Sequence, residues 1–261
     1  MNILVCLKMV SRATYTDMLC SDDASDDRLS GGAIEINPAD AYAFETALKL
    51  KDRYGAYVTV LSMSPMLAEP MLRSALAMGA DEAVLVCDRI FAGSDTIATA
   101  KTLSAALKAL PRQDMIFCGS KAIDSETGHI GAQLAALNEL RYMGDVLAVN
   151  ELRDGRLCVK HAGKHGAEEY SLVLPAVFSI INGTGMIRRP TFFGLRSSAK
   201  REIRIMTGDT LHLTAEQAGK NASGTETVRI DRLSFAHRHG AYTDDVHDGA
   251  AGLAEMLECA K

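Results

Sequence analysis

Short apolar runs and helix-period segments alternate through the first half of the chain. Ile3 to Leu7 has the continuous apolar character of a buried strand. Asn37-Pro38-Ala39-Asp40 then has the composition of a helix start: Asn as cap, Pro in the first turn, and an acid at the positive helix end. Ala41, Phe44, Ala47 and Leu48 continue as its apolar face. Tyr57 to Leu61 is the next strand. Met71, Ala75 and Met78 mark a second helix that Gly79 stops, and Ala83 to Cys87 is a third strand. A helix is expected from about Asp95 to Leu110, ended by Pro111. Met115 to Cys118 is a fourth strand, followed by a helix over about Thr127 to Asn138.

This alternation predicts an α/β fold, a parallel sheet flanked by helices in the Rossmann-like manner. Such sheets place ligands at the carboxyl ends of strands, near a switch in strand order. The loops after Leu7, Leu61, Cys87 and Cys118 are therefore the places to search. The pattern changes after Asp145. Asp145 to Val149, Leu157 to His161 and Tyr170 to Ile180 predict a small β extension, and Arg153-Asp154-Gly155 has the composition of a hairpin turn. Beyond Met206 the chain is more polar. Gly219 to Gly224 is expected as a loop, and a last helix over Ala250 to Cys259 as part of an arm with little core of its own. The acidic stretch Ser21 to Asp27 is expected to be a solvated loop.

Composition narrows the function classes. The 261 residues suffice for one large domain, or for one domain with an extended arm. At 48% hydrophobic and 23% charged, the chain is ordinary for a globular protein with a sizeable core. A net charge of −5 disfavours nucleic acid, whose phosphates need a basic face. Trp is absent and aromatics are 5%, which also argues against a base-stacking surface. Cys6, Cys20, Cys87, Cys118, Cys158 and Cys259 have no metal-ligand or redox-pair spacing, which fits a reducing cytoplasm. Met1 to Val5 enters a strand at once, with no basic leader, so no signal peptide is expected. No apolar run has the length of a membrane span.

Cys118-Gly119-Ser120-Lys121-Ala122-Ile123-Asp124-Ser125-Glu126-Thr127-Gly128-His129-Ile130-Gly131 follows a strand and opens a helix. Its small residues let a ligand approach the backbone, and free N–H groups at a helix start attract a phosphate. It is neither a Walker loop nor a G-x-G-x-x-G fingerprint, and a plain strand-to-helix turn is the alternative. A second segment, Asp88 to Thr99, has Gly93 and Ser94 leading into a helix. The hydroxyls of Thr96 and Thr99 suit a pyrophosphate; Ser94 or Asp95 is also a candidate N-cap.

These motifs, in this order, resemble the beta subunits of electron transfer flavoproteins. The family's adenine-nucleotide phosphate loop is matched at Gly119, Ala122, Ile123, Asp124 and Gly131, with Lys121 and His129 where the family usually has Gln. Ile3 to Lys8 is similar to the family's first strand, and Asn37-Pro38 with Glu45, Ala47 and Leu48 to its Asn-Pro helix. Ser62-Met63 is similar to the strand end beside the adenine, and Ala77 to Asp81 to the family's Ala-Met/Ile-Gly-Ala-Asp segment. Pro190-Thr191, Gly194-Leu195 and Ala199 to Ile203 resemble the segment after the family's recognition loop. Glu139-Leu140-Arg141-Tyr142 departs from the family's usual turn.

The resemblance implies a nucleotide-binding domain over residues 1–205 with its β extension, and a C-terminal arm over 206–261 that packs on a partner subunit. It implies cofactor contacts from Cys6, Asn37, Met63, Gly119, Ala122, Asp124, Thr127, Gly128, His129 and Ile130. The Asp88 to Thr99 segment resembles the bifurcating type and adds Asp95, Thr96 and Thr99, so FAD is expected rather than AMP. The partners implied are an alpha subunit carrying the main redox flavin and a dehydrogenase, with no membrane insertion. A subunit of this kind carries electrons and is not a conventional enzyme. A housekeeping subunit holding structural AMP is the runner-up. A stand-alone adenine-nucleotide hydrolase or ligase is a third reading, disfavoured because the chain lacks a Ser-Gly-Gly-x-Asp-Ser loop. Arg188, Arg189, Arg196, Lys200, Arg201 and Arg204 form a basic cluster, which the resemblance places near the partner-docking loop. Phe192 and Phe193 are either an apolar anchor for a partner or core. His237 and His239 have only the spacing of a metal pair, and no nucleophile–base arrangement stands out.

Overall fold

The structure is a computed structural model describing residues 1–11, 34–181, 183, 185–226, 228 and 244–259. It contains two compact units, Met1–Val228 and Arg229–Lys261.

In the first unit the chain begins with β1 (Asn2–Cys6) and a small antiparallel pair, β2 (Met9–Ser11) and β3 (Ile34–Ile36). Helix α1 (Pro38–Tyr54) leads to β4 (Tyr57–Met63), α2 (Glu69–Met78) to β5 (Glu82–Val86), and α3 (Thr96–Lys108) to β6 (Met115–Gly119). Helix α4 (Ile130–Leu137) precedes β7 (Arg141–Arg153), β8 (Arg156–Gly163), β9 (Gly166–Val173) and β10 (Ala176–Ile180). Then come α5 (Phe192–Ser198), β11 (Arg204–Met206) and the short α6 (Gly208–Leu211). Nine of these strands form one sheet in the order β11-β5-β4-β1-β6-β10-β7-β8-β9. The ladders from β11 to β7 are parallel, and β7-β8 and β8-β9 are antiparallel.

The parallel strands read as near-continuous apolar runs because both faces are covered. Side chains alternate across the strand. Ile3 and Val5 therefore enter a core with Phe44 and Leu48 of α1 and Leu72 of α2. Leu4 and Cys6 enter a second core with Leu103 of α3 and Leu134 of α4. The hairpin predicted at Asp154-Gly155 is present, with φ of 50° and 70°, the geometry a two-residue turn needs to match strand twist.

Two expectations are corrected. Tyr170 to Ile180 is not one strand. Pro175 has no N–H to give to a ladder, so the run breaks there. β9 ends the antiparallel extension, and β10 returns to the parallel core between β6 and β7. The strand expected from Asp145 begins four residues earlier in register terms, at Arg141, paired with Ala176. Its ladder with β10 shifts between Phe178 and Ile180, where Asp145 takes a φ of 47°.

The more polar segment after β11 packs on this unit. Met206, Leu211 and Ala218 are buried in the second core. In the second unit, α7 (Val246–Cys259) starts ahead of the expected Ala250 and carries exposed Val246, Leu253, Met256 and Leu257.

The basic cluster divides. Arg188 makes bonds of 3.0 to 3.2 Å to the buried carboxylate of Glu45 on α1 and one of 2.8 Å to Asp52. Arg201 donates to the carbonyls of Ala80 and Asp81. These two are structural, whereas Arg189, Arg196, Lys200 and Arg204 form no ion pair among the described residues. Arg188→Ala strands the buried Glu45 carboxylate, so it should cost about 3 kcal/mol. The urea midpoint of the purified chain measures this, and an unchanged midpoint would show that Glu45 is solvated without its partner.

Candidate functional site

The chain runs from β1 outward through β4 and β5, then returns past β1 to β6. Strand order therefore reverses between β1 and β6. The crevice at their carboxyl ends is where ligands bind in sheets of this kind.

Helix α1 begins over this crevice, and Asp40 in its first turn is aimed into it. Its Oδ2 accepts the Lys8 N–H at 2.8 Å, and its Oδ1 accepts the Gly119 N–H at 2.7 Å. One carboxylate thus joins the ends of β1 and β6. Gly119 has no room for a side chain: a Cβ would lie 2.5 Å from Asp40 Oδ1 and 2.7 Å from Ala39 Cβ. Burial raises the Asp40 pKa to about 6, against the lowering effect of the Lys8 and Gly119 N–H bonds, of Asn37, and of the Lys8 charge. The folded protein thus holds this proton more tightly than the unfolded chain. The stability it contributes is full below about pH 4 and is lost as pH rises through about 6.

Asn37 does not cap α1 with its side chain, contrary to the expectation. Its amide spans the crevice instead. It donates to the Lys121 carbonyl at 3.0 Å and accepts the Ile123 N–H at 3.1 Å. The Lys8 ammonium meets Asp124 at 2.6 Å. The loop after β6 is therefore fixed at Gly119, Lys121, Ile123 and Asp124. The N–H of Ser120 goes to Ile180, and that of Glu126 to Ala122. The cradle is narrower than expected, because these N–H groups are spent on the fold. Lys121 itself faces Glu126 at 3.4 Å, both largely exposed.

The helix after the loop starts at Ile130, later than the expected Thr127. Gly128 has a φ of 67°, which turns the chain into α4. His129 supplies no side-chain cap, and the first-turn N–H groups of any helix lack intrahelical acceptors. The start of α4 therefore holds the open anion-binding donors of the loop. Thr127 and His129 are exposed beside it.

The start of α3 lies next to it. Gln133 on α4 donates to Thr96 Oγ1 at 3.4 Å, while its buried Oε1 has no protein partner. The two orientations of an amide have the same shape, so in either one an end of Gln133 is left unmatched. Asp95 caps α3 through Ala98 at 2.9 Å. Its other oxygen accepts from Gly224 N–H at 2.7 Å and Thr225 N–H at 3.1 Å. Partial burial acts to raise its pKa, but these bonds together hold it below the usual carboxylate value. Thr99 gives its N–H to the Asp95 carbonyl at 2.9 Å, and both Thr96 and Thr99 are half-buried.

Of the remaining predicted contacts, Met63 ends β4 beside the second core, and Cys6 lies in it against Cys118. The bond with Cys6, followed by burial, raises the Cys118 thiol well above its ordinary pKa, so the pair is a packing element. Ala122 lies within the fixed loop. Beside that loop a cleft of about 550 Å³ opens among Ser120, Lys121, Tyr142, Asp145 and Ser179, floored by a 2.5 Å bond between Tyr142 and Ser179 hydroxyls. Sequence reading missed Asp40, Lys8 and Gln133 as site residues. Asp40 had a sufficient local explanation as an acid at a helix start, and Gln133 had no motif around it.

Among the described residues no His, Cys, Asp and Glu group could hold a metal, and His237 and His239 lie outside them. No helix of the described residues is long and apolar enough to cross a membrane.

A reversed strand order with two helix starts beside it places the chain in the doubly wound, Rossmann-like class. The model of the electron transfer flavoprotein domain matches residues 30–203. The chain is 35% identical over 259 residues to the electron transfer flavoprotein subunit beta of Thermoanaerobacterium thermosaccharolyticum, covering 98% of each. It is 34% identical to the caffeyl-CoA reductase-Etf complex subunit CarD of Acetobacterium woodii, covering 88% of this chain and 87% of that one. With the protein FixA of Bradyrhizobium diazoefficiens it shares 35% identity, covering 85% and 80%. The chain belongs to the electron transfer flavoprotein beta-subunit family.

Gly119→Ala should be destabilising by about 3 kcal/mol, since the new methyl meets backbone and a buried carboxylate that cannot retreat. Thermal unfolding reads this directly; a shift in midpoint within error of wild type would mean that α1 is free to move off β6.

Proposed function

We propose that this chain is the nucleotide-holding subunit of a heterodimeric electron transfer flavoprotein. It binds FAD and carries electrons from NADH or a dehydrogenase toward acceptors, by flavin-based bifurcation. The observation that carries the choice of FAD is the pairing of two helix starts through Gln133 and Thr96, with one end of the Gln133 amide buried and unmatched. AMP has one phosphate, which the start of α4 can serve alone. A pyrophosphate has two, and the hydroxyls of Thr96 and Thr99 stand at the second helix start.

When bound, the flavin supplies the redox chemistry. The chain's own residues bind and orient. Asn37 and Asp40 hold the crevice walls, the N–H groups at Gly128 to Ile130 take a phosphate, and Lys121 adds a positive charge at the rim. Partner contacts lie elsewhere. Phe192 and Phe193 are 75% and 79% exposed and stack edge to face at 6.1 Å, near Arg189 and Arg196, which form no ion pair among the described residues. Exposed aromatics rimmed by cations suit docking of a redox partner. The exposed apolar stripe of α7, opposite Asp248, Glu255 and Glu258, suits packing on the alpha subunit.

The complex with its alpha subunit should release two FAD per heterodimer on denaturation. One flavin with one AMP would exclude FAD from this chain. Phe192→Ser with Phe193→Ser should raise the KM for the protein redox partner roughly tenfold, as expected for losing an interface anchor, with flavin content unchanged. An unaltered KM would move the docking surface elsewhere.

A further inference from the structure

We infer that Asp40 is the positioning residue of the nucleotide crevice, and that a proton on its carboxylate releases one wall. The inference rests on the crevice being the nucleotide site. Its basis is geometric. Two strands meet at the switch point, and a single buried carboxylate accepts the N–H groups of Lys8, just past the end of β1, and of Gly119, the last residue of β6. An ionised carboxylate only accepts, so it satisfies two donors at once. In the protonated acid one oxygen becomes a hydroxyl, a poorer acceptor than a carboxylate oxygen, so one of the two N–H bonds is weakened.

The consequences fall on both sides of the crevice. Lys8 carries the ammonium that holds Asp124. Gly119 begins the loop that Asn37 holds at Lys121 and Ile123. Releasing either N–H loosens the path from the strand end to the start of α4. The protein stays folded, because burial penalises the charged form and the proton relieves that penalty. Acid therefore opens the site locally rather than unfolding the chain.

The groups that face Asp40 from its neighbours are few. Lys8 lowers its pKa from the β1 side, with Asp124 behind it, and Cys118 faces it from β6 with Cys6 behind. His129 is the imidazole at the start of α4, so the experiment replaces it. A bound phosphate would favour the proton on Asp40 by its charge. That phosphate belongs at the start of α4, at the other end of the loop, so loss of the wall outweighs it.

The experiment uses the full chain in a His129→Gln background, with FAD as probe. The pyrophosphate of FAD is a diester with no ionisation near neutrality. If FAD binds only when Asp40 is ionised, its dissociation constant should rise about tenfold between pH 8 and pH 5, with a midpoint near 6. Asp40→Asn should bind FAD more weakly at pH 8 and show no such rise. Independently of any ligand, the amide resonances of Lys8 and Gly119 should titrate together with that midpoint. A flat FAD profile, or amides that do not titrate, overturns the inference. Amides that titrate in a chain binding no FAD at any pH would uphold Asp40 as the tie and refute the nucleotide reading. Should Asp40→Asn fail to fold, the amide titration of the parent chain decides alone.

Discussion

The carboxylate of Asp40 accepts from the backbone at the ends of two strands, β1 and β6, that the chain reaches more than a hundred residues apart, and the crevice has its shape because of that bridge. Taking a carboxylate out of water is costly unless its oxygens are met by donors. Here both are, by N–H groups at 2.8 and 2.7 Å. The arrangement requires a residue without a side chain at 119, because α1 and β6 come together where a methyl group would sit. With the start of α1 fixed, Asn37 is in reach of the following loop, and that loop delivers the chain to α4 with its first N–H groups unspent. The anion-binding end is therefore built from the strand ends outward.

Much of this architecture is written locally, and some of it is not. Runs such as Ile3 to Leu7 and Met115 to Cys118 declare buried parallel strands, because only strands covered on both faces are apolar at consecutive positions. The continuous run from Tyr170 to Ile180 misleads for the same reason. Its two halves are both strand-like, and only the missing N–H of Pro175 separates an antiparallel partner of β8 from a parallel partner of β6. Nothing near Ala176 in sequence names β6 as its neighbour.

The site divides along a similar line. Gly119, Asp124 and Gly128 are legible because small and acidic residues cluster where a strand meets a helix. Their roles are less legible. Gly119 gives space to Asp40, Asp124 holds Lys8, and Asn37 ties a loop where a helix cap was expected. Each has a cheaper local reading, and the tertiary reading displaces it. The arginines behave likewise. A run of six basic residues looks like one charged face, yet Arg188 and Arg201 spend their guanidinium groups on Glu45 and on the carbonyls after α2.

The second helix start shows why its neighbour is the stronger anion end. Residues 208–225 fold back over the Asp88 to Thr99 segment. Asp88 accepts from Gly208, the Ala92 carbonyl from Lys220, and Asp95 from Gly224 and Thr225. Gly219 must lack a side chain, because a Cβ there would run into the carbonyls of Ile90 and Ala92. The polar stretch that reads as a tail is thus a brace for α3. Asp95 stays ionised under these bonds, so its negative charge sits against the positive end of α3 and offsets it. Helix α4 has no such counter-charge from its cap residue, His129. Of the two starts, α4 keeps the larger pull on a phosphate. The contribution left to α3 is directional, through the hydroxyls of Thr96 and Thr99, and it serves a ligand long enough to reach both.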